Sequence, residues 1–277
     1  MPEGTDAGGH LQELFFCVLG GGSKGNATYV EAGATRLLID AGFSGREIET
    51  RLDALGIDPA GLTAILLSHE HGDHIRGAGV LSRRYHLPLY ANRPTLQAAA
   101  KGLGSPAAVH EFTSGAAFYC GDLRIHPFAV SHDAAEPVGF LLEAGGLRLG
   151  HCTDLGMVSR LTRHRLTGCH ALVLECNHDP EMLAAGPYTP ALKQRVRSRH
   201  GHLANHEAAE LLTELLHPGL SQVVLSHLSE TNNTPELAAQ AVHAALAAIT
   251  HHPHQPQLTI ACQQKGSKLC RLATNSK

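Results

Sequence analysis

The run Ser68-His69-Glu70-His71-Gly72-Asp73-His74 constrains this chain more than any other, because it sets four potential metal ligands within six residues. It follows Leu62-Thr63-Ala64-Ile65-Leu66-Leu67, an apolar stretch that reads as a buried strand. A ligand-rich loop at the end of such a strand has a rigid base. Gly72 lets the chain turn sharply, so that His69, His71, Asp73 and His74 can converge. Neutral imidazole and carboxylate suit zinc, and also manganese or iron. With 21 histidines in the chain a lone one says little, but H-x-H-x-D-H is a specific spacing.

Three apolar runs end in the same dipeptide: Ile65-Leu66-Leu67-Ser68-His69, Phe128-Ala129-Val130-Ser131-His132 and Val223-Val224-Leu225-Ser226-His227. A fourth, Leu147-Arg148-Leu149-Gly150-His151-Cys152-Thr153-Asp154, ends in a carboxylate. Strands that each deliver such a residue at their ends point to one sheet edge where distant parts of the chain meet. That inventory can hold two cations, with Asp154 shared between them. The alternative for any single strand-end histidine is that it only satisfies a backbone carbonyl.

Hydrophobic residues make up 43% of the 277, enough for a substantial core. Aromatics are sparse at 4% and Trp is absent, so that core is built from Leu, Val, Ile and Ala. The net charge of −3 carries no global basic signature. A nucleic-acid enzyme of this composition needs local positive potential from metal ions and clustered arginines. Seven cysteines, odd in number and without a C-x-x-C pair, indicate reduced thiols in a cytoplasmic protein rather than a disulfide framework. No cationic start leads into a signal core, and no run reaches the roughly 18 apolar residues of a membrane helix.

Strand patterns fall near 11–19, 27–32, 35–40, 62–68, 88–91, 122–131, 138–143, 147–153, 171–175, 222–227 and 258–262. Helical patterns fall near 45–56, 75–86, 94–101, 156–166, 189–199, 205–217 and 235–250, with Asn205 as an N-cap and Thr234-Pro235 as a helix start. Early hairpins followed by alternating strands and helices fit an α/β arrangement of sheets between helices. Residues 1–10 read as a flexible lead-in and 11–277 as one domain, with His251-His252-Pro253-His254 in a surface loop.

The order His69-x-His71-x-Asp73-His74, His132, Asp154, His227 resembles the metallo-β-lactamase superfamily across essentially the whole chain. The resemblance implies a four-layer αββα sandwich with its metals at one sheet edge. Finer motifs are similar to those of the YycJ/WalJ family. They are Leu19-Gly20-Gly21-Gly22-Ser23-Lys24-Gly25-Asn26, Ser131-His132-Asp133-Ala134 with Pro137-Val138-Gly139-Phe140, and Glu175-Cys176-Asn177-His178-Asp179. Leu192-Lys193-x-Arg195-Val196-x-Ser198, followed by Gly201-His202-Leu203-Ala204-Asn205, is a fourth match. Gly21 and Ala204 depart from that pattern, which usually carries Ser at both. The family implies a metal-dependent 5′→3′ exonuclease acting on DNA, with a link to mismatch repair. The likeness extends to tRNA 3′-processing and RNase J-type enzymes, so RNA is the second substrate class.

By the same resemblance His69, His71 and His132 hold one metal, Asp73, His74 and His227 the second, and Asp154 bridges. Two divalent cations, zinc or manganese, about 4 Å apart can share a hydroxide nucleophile and clamp both oxygens of a phosphodiester. Asp73, His202 and Glu175 are the catalytic candidates. Glu175 beside the imidazole favours its charged form and lets His202 donate a proton to the leaving oxygen; the alternative makes His202 a capping residue. Ser23, Asn26, Asn177 and Arg195 are the candidate substrate contacts. Backbone N–H groups of the glycine loop are offered to a phosphate, and Lys193-Gln194-Arg195-Val196-Arg197-Ser198-Arg199 supplies cations. His178 is a weaker pocket candidate, and no aromatic stacking platform is visible. Two other readings stay open: a hydrolase of a small ester, thioester, lactone or cyclic phosphodiester, and a nucleic-acid-binding repair scaffold without activity.

Overall fold

Strands form where leucine-rich and β-branched runs fall, and a computed structural model, describing residues 13–249 and 255–274, assembles them into two sheets of seven. The first sheet takes β1 (Glu13–Gly20), β2 (Ala27–Ala32), β3 (Thr35–Ile39), β4 (Ala64–Leu66), β5 (Pro88–Ala91) and β6 (Ala108–Glu111). The second takes β7 (Phe118–Cys120), β8 (Leu123–Ala129), β9 (Val138–Ala144), β10 (Leu147–Cys152), β11 (Ala171–Glu175), β12 (Gln222–Ser226) and β13 (Gln257–Ile260). The last strand, β14 (Cys270–Ala273), returns to the first sheet and pairs with β1. Spatial orders are 14-1-2-3-4-5-6 and 13-12-11-10-9-8-7. Each sheet is antiparallel in its hairpins and parallel where helices intervene; β10, β11, β12 and β13 run parallel, as do β3, β4, β5 and β6. The parallel strand Ala171-Leu172-Val173-Leu174-Glu175 is buried throughout, as a strand covered on both faces must be.

Helices α1 (Gly45–Asp53), α2 (Gly72–Ile75), α3 (Ala78–Tyr85) and α4 (Arg93–Leu103) belong to the first half of the chain. Helices α5 (Arg160–Leu166), α6 (Pro180–Ala185), α7 (Pro190–Val196), α8 (Asn205–Leu215) and α9 (Pro235–Ala247) belong to the second. Apolar side chains fall into three layers. Phe16, Leu37, Leu142 and Val173 lie between the sheets. Ile48, Leu81 and Leu103 pack helices on the first sheet, and Leu172, Leu212 and Val242 pack them on the second. Three apolar layers separate four structural ones, which is the αββα sandwich.

Several local expectations need correction. Asn205 is the first helical residue of α8, not its cap: Ala204 occupies the cap position and its N–H is taken by Glu207 Oε2 at 2.8 Å. The Asn205 side chain turns inward to Asn233 and Cys176 instead. β6, β7, β14, α2 and α6 escape the sequence reading. The first is exposed along its whole length and the next has only three residues, so neither shows an apolar period. The helix expected over 156–166 starts at Arg160, because Ser159 accepts the Thr162 N–H and caps it there. The lead-in 1–10 and the His251–His254 tract lie outside the described residues. All seven cysteines are free thiols, and no helix among the described residues is long and apolar enough to cross a membrane.

Candidate metal centre and its cleft

Strands of both sheets end together on one edge of the sandwich, and the residues at those ends are potential metal ligands or the carboxylates that orient them. Asp40 follows β3, His69 follows β4, His132 follows β8, Asp154 follows β10, and His227 follows β12, while Glu175 ends β11. In α/β sheets ligands bind beyond the carboxyl ends of the strands. Asp40, Asp154 and His227 have φ of 59°, 57° and 58°, in the left-handed region. The strands therefore break sharply just where their last side chains must turn across the edge.

Two groups of donor atoms result. His69 Nε2 lies 3.1 Å from His71 Nδ1, which lies 3.3 Å from His132 Nε2. Asp73, His74 and His227 gather beside them, with His74 Nε2 3.6 Å and His227 Nε2 3.9 Å from Asp73 Oδ2. Asp154 stands between the groups: Oδ2 is 3.2 Å from His74 Nε2, and Oδ1 is 3.8 Å from His132 Nε2. Every residue of the H-x-H-x-D-H motif, together with His132, Asp154 and His227, thus borders one small space.

Partners behind the rings fix which nitrogen faces that space. His74 Nδ1 lies 2.8 Å from Asp40 Oδ2, and His227 Nδ1 lies 2.8 Å from Glu175 Oε1. His132 Nδ1 is 3.2 Å from the Gly201 carbonyl. Ser68 Oγ donates to Asp40 Oδ2 at 2.7 Å, so it accepts from His69 Nδ1 at 2.9 Å. With Nδ1–H spent in each case, the Nε2 lone pair is left towards the cluster. His227 Nε2 and Asp154 Oδ2 are buried atoms with no hydrogen-bond partner. Tetrahedral nitrogens bound at about 2.0–2.1 Å stand about 3.3 Å apart, which matches the spacing in the first group. Lone pairs crowded at that distance fit a divalent cation held among them.

Electrostatics point the same way. Burial opposes charge on His74, yet Asp154 and Asp40 outweigh it and hold its imidazole well above the ordinary histidine range. His227 is as buried, and Asp154, Asp73 and Glu175 carry it up to about 10. Burial would raise the Glu175 carboxyl, but His202 and His227 pull it down to about 2. Asp154 is likewise held well below the carboxylate range by His227 and His74 against its burial. The carboxylates at this edge demand positive charge, and a metal meets the same demand as protons.

Glu175 is the hub on the second sheet. Its Oε1 is 2.8 Å from both His202 Nδ1 and His227 Nδ1, and its Oε2 accepts N–H bonds from Leu155 at 2.9 Å and Leu203 at 3.3 Å. With both oxygens engaged it orients rings and is not free to ligate. His202 lies 3.8 Å from Asp154 Oδ1 and lines the cleft. Its loop is stitched to the turn carrying His132 by Ser131 Oγ to the Arg199 carbonyl at 2.6 Å and Asp133 N–H to the His200 carbonyl at 3.1 Å. Gly201 makes this possible, since a Cβ there would meet the Val196 and Arg195 carbonyls at 2.2 and 2.3 Å.

The cleft is a cavity of about 390 Å³. Ser23, Asn177 and Arg195 line it; Arg195 is tied to Asp133 at 2.6 Å. Asn26 does not reach it. Buried beneath the ligands, Asn26 holds Gly22 N–H with Oδ1 at 2.9 Å and sets Nδ2 3.2 Å from Asp73 Oδ2. The glycine loop offers less than expected, because the Gly22, Lys24, Gly25 and Asn26 N–H groups are already bonded within the protein. His178 is buried away from the cleft. Sequence reasoning missed Asp40, whose signal was Leu37-Leu38-Ile39-Asp40, an apolar run ending in a carboxylate like the one before Asp154. It also missed that Glu175 serves His227 as well as His202.

Comparison with known proteins shows the family and the fold. The pattern of the β-lactamase superfamily domain matches residues 35–228. The exodeoxyribonuclease YycJ of Bacillus anthracis is 38% identical over 235 residues, covering 84% of this chain and 89% of its own. The exodeoxyribonuclease WalJ of Streptococcus pneumoniae is 40% identical over 227 residues, covering 80% and 84%. In fold, the crystal structure of the metallo-β-lactamase fold protein YhfI from Bacillus subtilis superposes with a TM-score of 0.72 at 17% identity, over 94% of this chain and 99% of that one.

Proposed function

The chain belongs to the metallo-β-lactamase superfamily and to the YycJ/WalJ family within it, and on that footing we propose that it is a metal-dependent exodeoxyribonuclease that releases mononucleotides from 5′ ends. One group of ligands, His69, His71 and His132, takes one divalent cation; Asp73, His74 and His227 take a second; Asp154 lies between. Zinc and manganese both suit these donors. Such a pair supplies a nucleophile from water at neutral pH and neutralises charge on a phosphodiester. The remaining work falls to the protein.

The observation that carries the reading is the Glu175–His202 pair, 2.8 Å apart at the wall of the same cleft. An alkoxide leaving group such as the 3′ oxygen of a nucleotide needs a proton, whereas the thiolate leaving a thioester does not. Glu175 holds Nδ1–H, which turns the ring and leaves Nε2 as the nitrogen that hands a proton to the departing 3′ oxygen. Asp73 contributes to the second ligand group. Ser23, Asn177 and Arg195 contact the substrate from the rim, and Asn26 supports Asp73 from below. DNA is preferred over RNA on the strength of the two relatives named exodeoxyribonucleases.

The test uses metal-free protein, manganese or zinc, and duplex DNA labelled at either end. Mononucleotides should leave from the 5′ end only when metal is added. His202→Ala should cut turnover by about 10²–10⁴-fold while metal content, read by mass spectrometry, stays that of the parent. Glu175→Ala should lose turnover and metal together, because it also releases His227. Intact DNA and RNA under both metals would overturn the proposal.

A further inference from the structure

One wall of the cleft is used neither by the metal ligands nor by the Glu175–His202 pair. Tyr188, Leu192 and Val196 line it, while the remaining lining residues are polar, charged or glycine. Leu192 and Val196 are four apart on α7 and so share a face. Tyr188 stands just before that helix, and Thr189 fixes the join by capping Leu192 N–H at 3.3 Å. The hydrophobic patch is therefore built from the segment that ends in Gly201 and His202.

Chemistry decides what this patch faces. If His202 protonates the departing 3′ oxygen, the nucleoside carrying that oxygen lies on the His202 side of the phosphate. That side is the 188–202 segment. Its sugar then sits beside His202, and its base meets the apolar surface that Tyr188, Leu192 and Val196 give the cleft, the only one among the described residues that line it. A cavity of about 390 Å³ is near the lower bound of small-ligand pockets, roughly 300–1,000 Å³, and admits one nucleotide rather than a duplex. We propose that Tyr188, Leu192 and Val196 form a platform on which the base of the terminal, departing nucleotide stacks. Every base has a π-face, so the platform is indifferent to sequence. The proposal rests on the exonuclease reading above.

The experiment is a substrate–variant cycle with the manganese-loaded protein and 5′-phosphorylated oligonucleotides whose terminal residue is either normal or abasic. Tyr188→Ala should lower kcat/KM on the normal terminus by about 5- to 100-fold, mostly through KM, and Tyr188→Phe should not. Wild-type protein should lose a similar factor on the abasic terminus, and Tyr188→Ala should lose little more there. Leu192→Asn gives a second variant should Tyr188→Ala unfold. Equal losses by Tyr188→Ala on normal and abasic termini, or a wild type indifferent to the missing base, would overturn the platform alone. Wild-type protein that hydrolyses bis(4-nitrophenyl) phosphate but no oligonucleotide would overturn the exonuclease reading and the platform with it.

Discussion

At the scale of single residues, the site depends on carboxylates that stand behind the proposed ligands and orient them. Asp40 holds His74 directly and His69 through Ser68, so one buried side chain sets a ring in each ligand group. Asp40→Ala should therefore weaken metal affinity by about 10–100-fold, measured by competition with a chromophoric chelator, while the ligands themselves remain. His69, His71, Asp73 and His74 were legible because a short motif forces them together. His132, Asp154 and His227 were legible because the strands that carry them end in a repeated way. Asp40 shares the strand-end signal of Asp154 but not its role, and the second role of Glu175 has no signal, since a side chain that orients a ligand carries no spacing rule of its own. Asn26 shows the converse: its motif was visible, but only packing decides that it supports Asp73 and does not line the cleft.

At the scale of elements, long amphipathic helices and buried strands followed the hydrophobic pattern, while short pieces did not. α2 has four residues and falls inside the ligand motif, where polar chemistry masks any helical period. Tertiary contact holds it instead. Asn26 N–H donates to the Asp73 carbonyl at 2.8 Å, and Ala41 N–H donates to the His74 carbonyl at 2.7 Å. Gly42 lies beneath, and a Cβ there would sit 1.6 Å from the Asp73 carbonyl oxygen. Gly42→Ala should push α2 outward, costing about 1–3 kcal/mol by chemical denaturation and displacing Asp73 and His74 from the second ligand group.

At the scale of the molecule, both sheets contribute the proposed ligands to one edge, so a bound cation would tie the two halves of the sandwich together. Metal at 100 times its dissociation constant should stabilise the fold by about 2.7 kcal/mol, a rise of roughly 5–10 °C in Tm for a domain of this size; chelator titration in a thermal melt reads it directly. The left-handed backbone at Asp154 and His227 acts in the opposite sense. Each such residue costs of order 1–3 kcal/mol, and each also buries an atom without a hydrogen-bond partner in the protein. Glycine at either place would relieve both burdens and abolish a ligand. A gene copy released from the need for activity thus has a downhill path: the first changes that improve its folding are those that end its chemistry, and inactive descendants of this family should be found among its more robust members.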